Sequence, residues 1–176
     1  MTREQDSTLG GLKLAIQMEI DGKKFYLKAS DESGNELGKK LFQKLAAEED
    51  VHRSNFERIF EAISSKSGWP KINFVPDKGR GLRTIFADAK DKMGTDIKAA
   101  STELDAIKTA MDMESKSYDL YKSQSKEATY STQRKFFEAV AVEERHHHLI
   151  LLDYYEYVKD PSAWFVSKEH PSLDGG

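Results

Sequence analysis

Apolar residues return at alternating spacings of three and four through four long stretches of the chain, the pattern of helices that each bury one stripe. The second stretch reads Phe42, Leu45, Glu49, His52, Phe56, Ile59, Ile63, and the fourth reads Phe137, Val140, Glu144, His147, Leu151, Tyr154, Val158. The third runs Leu104, Ile107, Met111, Glu114, Tyr118, Tyr121; the first runs Leu12, Ile16, Glu19, Tyr26, with Lys23 interrupting it. Glutamate and histidine therefore occupy positions where a soluble helix ordinarily places aliphatic side chains.

Breaks between the stripes give the connections. Asp31-Glu32-Ser33-Gly34-Asn35 is a turn signal, and Gly34 lies midway between Glu19 and Glu49. At about 1.5 Å rise per residue, both carboxylates then sit roughly 22 Å from the turn, level with each other in an antiparallel pair. Thr129 is likewise midway between Glu114 and Glu144, and Thr129 or Ser131 is suited to cap the helix that follows. Ser64 to about Ala100 is too long for a simple turn, so it must cross the bundle. It holds Gly68-Trp69-Pro70, Pro76 and Gly79-Arg80-Gly81, and a short amphipathic helix with Leu82, Ile85, Phe86, Ala89 and Met93 on one face, suited to lid the bundle or to meet another subunit. Asp160-Pro161 stops the last long helix. The pattern predicts an all-α four-helix bundle over 1–159 and a tail, 160–176, whose Trp164, Phe165 and Val166 need a surface to bury against.

The polar residues in the stripes repeat as a set. Glu19, Glu49 and His52 recur as Glu114, Glu144 and His147; the difference in number, 114 against 19, 144 against 49 and 147 against 52, is 95 each time. Met18-Glu19 is answered by Met113-Glu114, Tyr26 by Tyr121, and Ala47-Glu48-Glu49 by Val142-Glu143-Glu144 at the same offset. The chain reads as two copies of one helical hairpin.

Composition narrows what those residues can do. Charged residues make up 32% of the 176, the net charge is −3 and both signs are interspersed, so no basic face points to nucleic acid or an anionic membrane. No window approaches the roughly 18 apolar residues of a membrane span, and Met1–Gly11 has no apolar run behind a basic segment, so a cytoplasmic protein is expected. Cysteine is absent, which excludes disulfides, thiolate metal sites and a built-in iron–sulfur or rubredoxin-type centre. Electrons, where chemistry needs them, would have to come from outside.

Four carboxylates and two imidazoles in a bundle interior form a ligand set for two metal ions. Glu at i and His at i+3 lie on one helix face, so a single turn offers a carboxylate and an imidazole to neighbouring ions. Four buried carboxylates would otherwise repel one another and lose their hydration, costs relieved by protonation or by cations. An oxygen-rich site with one nitrogen per ion suits iron or manganese, and zinc can bind the same groups. Glu48, Glu143, His146 and His148 are set aside as ligands; Glu143 and His146 also form a Glu-x-x-His but fall off the stripe, and are expected on the flank or surface. Met18, Met111 and Met113 are expected to pack. Tyr26 and Tyr121, two turns after their glutamates, either donate a hydrogen bond to a ligand carboxylate or serve as core aromatics.

At these residues the chain resembles the rubrerythrin branch of the ferritin-like di-iron carboxylate superfamily, over most of residues 8 to 159. The family pattern of Glu-x6-Tyr and Glu-x-x-His in each half is met by Glu19 to Tyr26 and Glu49 to His52, then by Glu114 to Tyr121 and Glu144 to His147. The resemblance implies a ferritin-like bundle with a di-iron site that reduces hydrogen peroxide in protection against oxidative stress. It makes Glu49 and Glu144 bridging ligands, Glu19 and Glu114 terminal carboxylates, and His52 and His147 one ligand per iron. Rubrerythrins generally carry a further glutamate one turn from the lone glutamate of the third helix, but Met111 and Ser117 stand there. That leans toward the six-residue site of bacterioferritin-type centres. There is also no cysteine-rich rubredoxin domain, so the expected partners are hydrogen peroxide or dioxygen, an external electron-donor protein and a second copy in a homodimer. Ferrous-iron oxidation and sequestration in a ferritin-like oligomer, or a non-catalytic metal-stabilised bundle, are the alternatives.

Overall fold

In the computed structural model, residues 3–97 and 99–169 are described. Four long helices, α1 (Arg3–Glu32), α2 (Glu36–Ser64), α4 (Ser101–Glu127) and α5 (Ser131–Lys159), form the bundle, with α3 (Arg80–Met93) in the crossover and α6 (Pro161–Glu169) after it. α1 packs chiefly on α2 and α4 on α5, the two predicted hairpins, and α1 meets α4 across the bundle. Among the described residues no helix is long and apolar enough to cross a membrane.

The first turn is fixed by Asn35, whose side-chain oxygen accepts the Gly38 N–H at 2.8 Å and caps α2. The second turn differs from expectation. Tyr130, rather than Thr129 or Ser131, is the N-cap of α5, and its side chain makes no capping hydrogen bond. Arg134 instead reaches back to donate to the Ala128 carbonyl at 3.2 Å.

The stripes of α2 and α5 are buried as predicted, with Ile63 only partly so. Those of α1 and α4 shift onto smaller residues. α1 buries Leu12, Ala15, Glu19, Gly22, Tyr26 and Ala29, passing beside Ile16 and Lys23. α4 buries Ile107, Ala110, Glu114, Ser117 and Tyr121, leaving Leu104, Met111 and Tyr118 partly buried. Small side chains on these two helices leave room for the long glutamates and tyrosines that share the interior with them.

Among the described residues two apolar clusters make up the core. One gathers Tyr26, Phe42, Leu45, Ile107, Leu151 and Tyr154; the other gathers Leu12, Phe56, Ile59, Tyr121, Phe137 and Val140. The crossover belongs to both, since Trp69, Ile72 and Phe74 pack on the second and Leu82, Phe86 and Ala89 of α3 on the first. Trp164 of α6 is buried against Phe86 and Tyr157, with ring centroids 5.5 and 5.4 Å away. Phe165 is partly buried and Val166 stays exposed; the remainder of the tail, 170–176, lies outside the described residues.

Candidate metal centre

Glu19 comes from α1, Glu49 and His52 from α2, Glu114 from α4, and Glu144 and His147 from α5, and all six side chains are buried. Their ligand atoms form two overlapping groups. Glu19, Glu49, His52 and Glu144 offer atoms all within 4.8 Å of one another, and so do Glu49, Glu114, Glu144 and His147. Glu49 and Glu144 belong to both groups. The equal distance of each pair from its turn produces this coincidence of level, as the helical rise requires.

The atoms approach without satisfying one another. His52 Nδ1 lies 3.0 Å from Glu144 Oε1 and 3.4 Å from Glu19 Oε2, while His147 Nδ1 lies 3.4 Å from both Glu49 Oε1 and Glu114 Oε2. None of these atoms has a hydrogen-bond partner, and neither does Glu144 Oε2. Each of the six residues therefore turns at least one buried, unpaired donor atom toward the same small volume. Buried polar atoms are ordinarily paired, and a cluster of exceptions calls for an occupant. Oxygen-rich surroundings with one nitrogen in each group fit iron or manganese.

Charge reinforces the point. Burial, followed by the Glu19, Glu144 and Glu114 carboxylates, pushes the Glu49 carboxyl well above the ordinary range, and burial with Glu114 does the same to Glu144. Burial also opposes the Glu114 anion, but the His147 charge beside it helps hold its pKa to about 2. Burial is the largest single influence on the two histidines and opposes their charge, yet both shift upward, because Glu114, Glu48 and Glu49 around His147, and Glu19 and Glu49 around His52, together outweigh it. Without a cation, the centre limits its repulsion by keeping protons.

The tyrosines join the centre crosswise. Tyr26 of the first hairpin donates to Glu114 Oε1 of the second, and Tyr121 of the second donates to Glu19 Oε1 of the first. Burial, together with the adjacent carboxylates, raises both phenols, so each keeps its proton to donate. Sequence spacing pairs each tyrosine with the glutamate of its own helix; only the packing of α1 on α4 shows the exchange.

Several neighbours escape the sequence reading. Glu48, set aside as a ligand, accepts from His147 Nε2 through its Oε2 at 2.7 Å, and its Oε1 lies 3.1 Å from Lys44 Nζ. Burial opposes its charge, but these contacts hold its carboxyl below the ordinary range. Glu143, expected on the flank or surface, is buried and accepts the Lys78 backbone N–H at 2.7 Å. Its burial comes from the crossover loop laid over α5, which no helical periodicity encodes. Glu48, Glu143 and His147 also converge, but the bonds to His147 and to the loop backbone already occupy an oxygen of each glutamate. His146 is partly buried, and His148 lies against the Met111 carbonyl and Ser115. Gly22 is the remaining omission. A Cβ there would stand 2.6 Å from Glu49 Oε2, so the carboxylate fits only because α1 has no side chain at that point. Its position in the stripe, one residue before the intruding Lys23, was the available signal.

A family model described as Rubrerythrin matches residues 11–155. No curated protein and no solved structure matches the chain.

Proposed function

This chain belongs to the rubrerythrin family and has its all-α ferritin-like bundle, and from that premise we propose that it is a di-iron oxidoreductase reducing hydrogen peroxide with electrons from a separate donor protein. The observation that supports this most is the set of six buried residues whose unpaired ligand atoms form two groups sharing Glu49 and Glu144. Glu49 and Glu144 would hold both ions. Glu19 with His52 would complete one position, and Glu114 with His147 the other. Two irons held there would supply the two electrons that reductive cleavage of the peroxide O–O bond consumes.

The chain's own groups set the conditions for that chemistry. Tyr121 and Tyr26 orient Glu19 and Glu114 by donating to one oxygen of each, leaving the other oxygen toward the centre. Glu48 fixes the ring of His147 through Nε2, which turns Nδ1 inward. Burial of all six residues excludes bulk water, so the carboxylates act in surroundings where their charge is felt strongly. Reduction of one peroxide to two waters takes up two electrons and two protons, the electrons from the donor protein and the protons from solvent. The same reading places the protein in the cytoplasm, as a homodimer, in protection against oxidative stress.

Anaerobic reconstitution with ferrous iron tests this, with absorption spectra before and after one equivalent of peroxide, in the wild type and in Glu49→Ala and Glu144→Ala. About two irons per chain, oxidised rapidly by peroxide, with that behaviour lost in both variants, is the expected result. No iron uptake, or uptake and oxidation unchanged by the substitutions, would overturn it.

A further inference from the structure

The duplication provides an internal control, because each residue around the centre has a counterpart 95 positions away. Most counterparts match in their surroundings, but the outer faces of the two histidines do not. His147 Nε2 is 2.7 Å from Glu48 Oε2, and Lys44 Nζ is 3.1 Å from the other oxygen of that glutamate. By the repeat, Glu143 should serve His52 in the same way. Glu143 Oε1 is instead taken by the backbone N–H of Lys78, and the counterpart of Lys44 is Ala139. Among the described residues no carboxylate bonds the outer nitrogen of His52, whose ring packs against that of Phe74 in a T-shaped arrangement, centroids 5.6 Å apart. Phe74 belongs to the irregular part of the crossover, between α2 and α3.

A carboxylate on the outer nitrogen of a metal-binding imidazole fixes the ring and raises the basicity of the inner nitrogen; its loss typically costs about 10–100-fold in metal affinity. A phenyl ring, with no acceptor for an N–H, gives neither effect. We propose that the two ion positions are inequivalent: the one at Glu49, Glu114, Glu144 and His147 fills first and holds its ion tightly, the one at Glu19, Glu49, His52 and Glu144 exchanges, and Glu48 is the positioning residue that separates them. This rests on the metal-centre reading above. Phe74 of the crossover stands beside His52 of the exchanging position, and the Lys44–Glu48–His147 chain of contacts backs the tight one.

The test is anaerobic titration of the metal-free chain with cobalt(II) alone, followed by its visible absorption and by calorimetry. Two steps are expected in the wild type, separated by at least about tenfold in affinity. Glu48→Ala should weaken the first step by about 10–100-fold and change the spectrum of the first ion, while the second step stays in place. Glu48→Gln, which keeps an acceptor but not the charge, should fall between. His52→Ala should retain the tight step and His147→Ala should lose it, which checks the assignment by a route independent of Glu48. Glu143→Gln should leave both steps unchanged. Two ions bound with equal affinity in the wild type, or a first step indifferent to Glu48→Ala, would overturn the inequivalence while leaving the metal centre standing. Failure of the wild type to bind cobalt at all would remove the metal centre itself.

Discussion

Glu103 and Glu144 are both buried carboxylates of the same bundle, yet their surroundings are opposite in kind. Glu103 Oε1 receives Ser33 Oγ at 2.6 Å, Asn35 Nδ2 at 3.0 Å and Tyr154 OH at 2.6 Å. It also stands in the first turn of α4, where the unpaired N–H groups of a helix favour negative charge. Gly38 makes room for the cluster, since a Cβ there would stand 2.7 Å from Glu103 Oε1. Glu144 sits in mid-helix with neither of its oxygens hydrogen-bonded, facing three further carboxylates and the two histidines. Burial of a polar group is thus no sign of a site. Glu103 is complete within the protein and locks the turn between α1 and α2 to α4 and α5, whereas Glu144 and its neighbours are complete only with something bound.

Substitutions should separate the two clusters by what each depends on. The largest effect is expected at Glu144, which belongs to both ligand groups. Glu144→Ala should weaken iron binding by more than the roughly 100-fold typical of losing an outer-shell partner, read by anaerobic ferrous titration. The metal-free chain should respond with the opposite sign, because removing one of four crowded carboxylates relieves repulsion; Glu144→Gln should therefore raise its denaturation midpoint. If that variant destabilises the metal-free chain, the description of the centre as unpaired is wrong.

Glu103→Ala comes next. It strands the donors of Ser33, Asn35 and Tyr154 and should cost about 1–3 kcal/mol in denaturant unfolding. That loss should be equal with and without iron, and a loss that appeared only in the loaded protein would erase the distinction between the clusters.

The pH dependence of stability in the metal-free chain sharpens the comparison further. Glu49 and Glu144 are raised in the folded state, so the folded chain binds more protons than the unfolded one above the ordinary glutamate pKa, about 4.3. Their contribution is fully present below that value and is lost as pH rises toward their folded pKa values. The raised histidines act in the same direction above about 6.5. Stability of the metal-free chain should fall from mildly acid to neutral pH, while iron affinity should rise over the same window as protons leave the ligands. Stability that climbed toward neutral pH would contradict the assignment. The smallest effects are expected from Tyr26→Phe and Tyr121→Phe, about 0.5–1.5 kcal/mol each, with a change in the spectrum of the bound ion that removal of Tyr154 OH by Tyr154→Phe should not produce.

Much of this was readable from spacing alone. The common offset points to the six residues that the structure gathers in one layer, and the stripes of α2 and α5 are legible almost residue for residue because bulky side chains mark them. The stripes of α1 and α4 depart from the apolar pattern where Ala15, Gly22, Ala110 and Ser117 do the packing, since small residues carry little hydrophobic signal while neighbours such as Ile16 and Met111 carry more. Glu48 and Glu143 each stand one place before a ligand, off the stripe, and their roles depend on a partner helix and a crossing loop. The Tyr26–Glu114 and Tyr121–Glu19 exchange and the Glu103 cluster join residues far apart in sequence, beyond what the period of any one helix can report.

The most direct test of the central claim is anomalous diffraction at the iron edge from crystals of the anaerobically loaded protein. Two peaks should appear between Glu49 and Glu144, one beside Glu19 and His52 and the other beside Glu114 and His147, with none at Glu103. Absence of iron from that layer, or iron found only on the surface, would contradict the account.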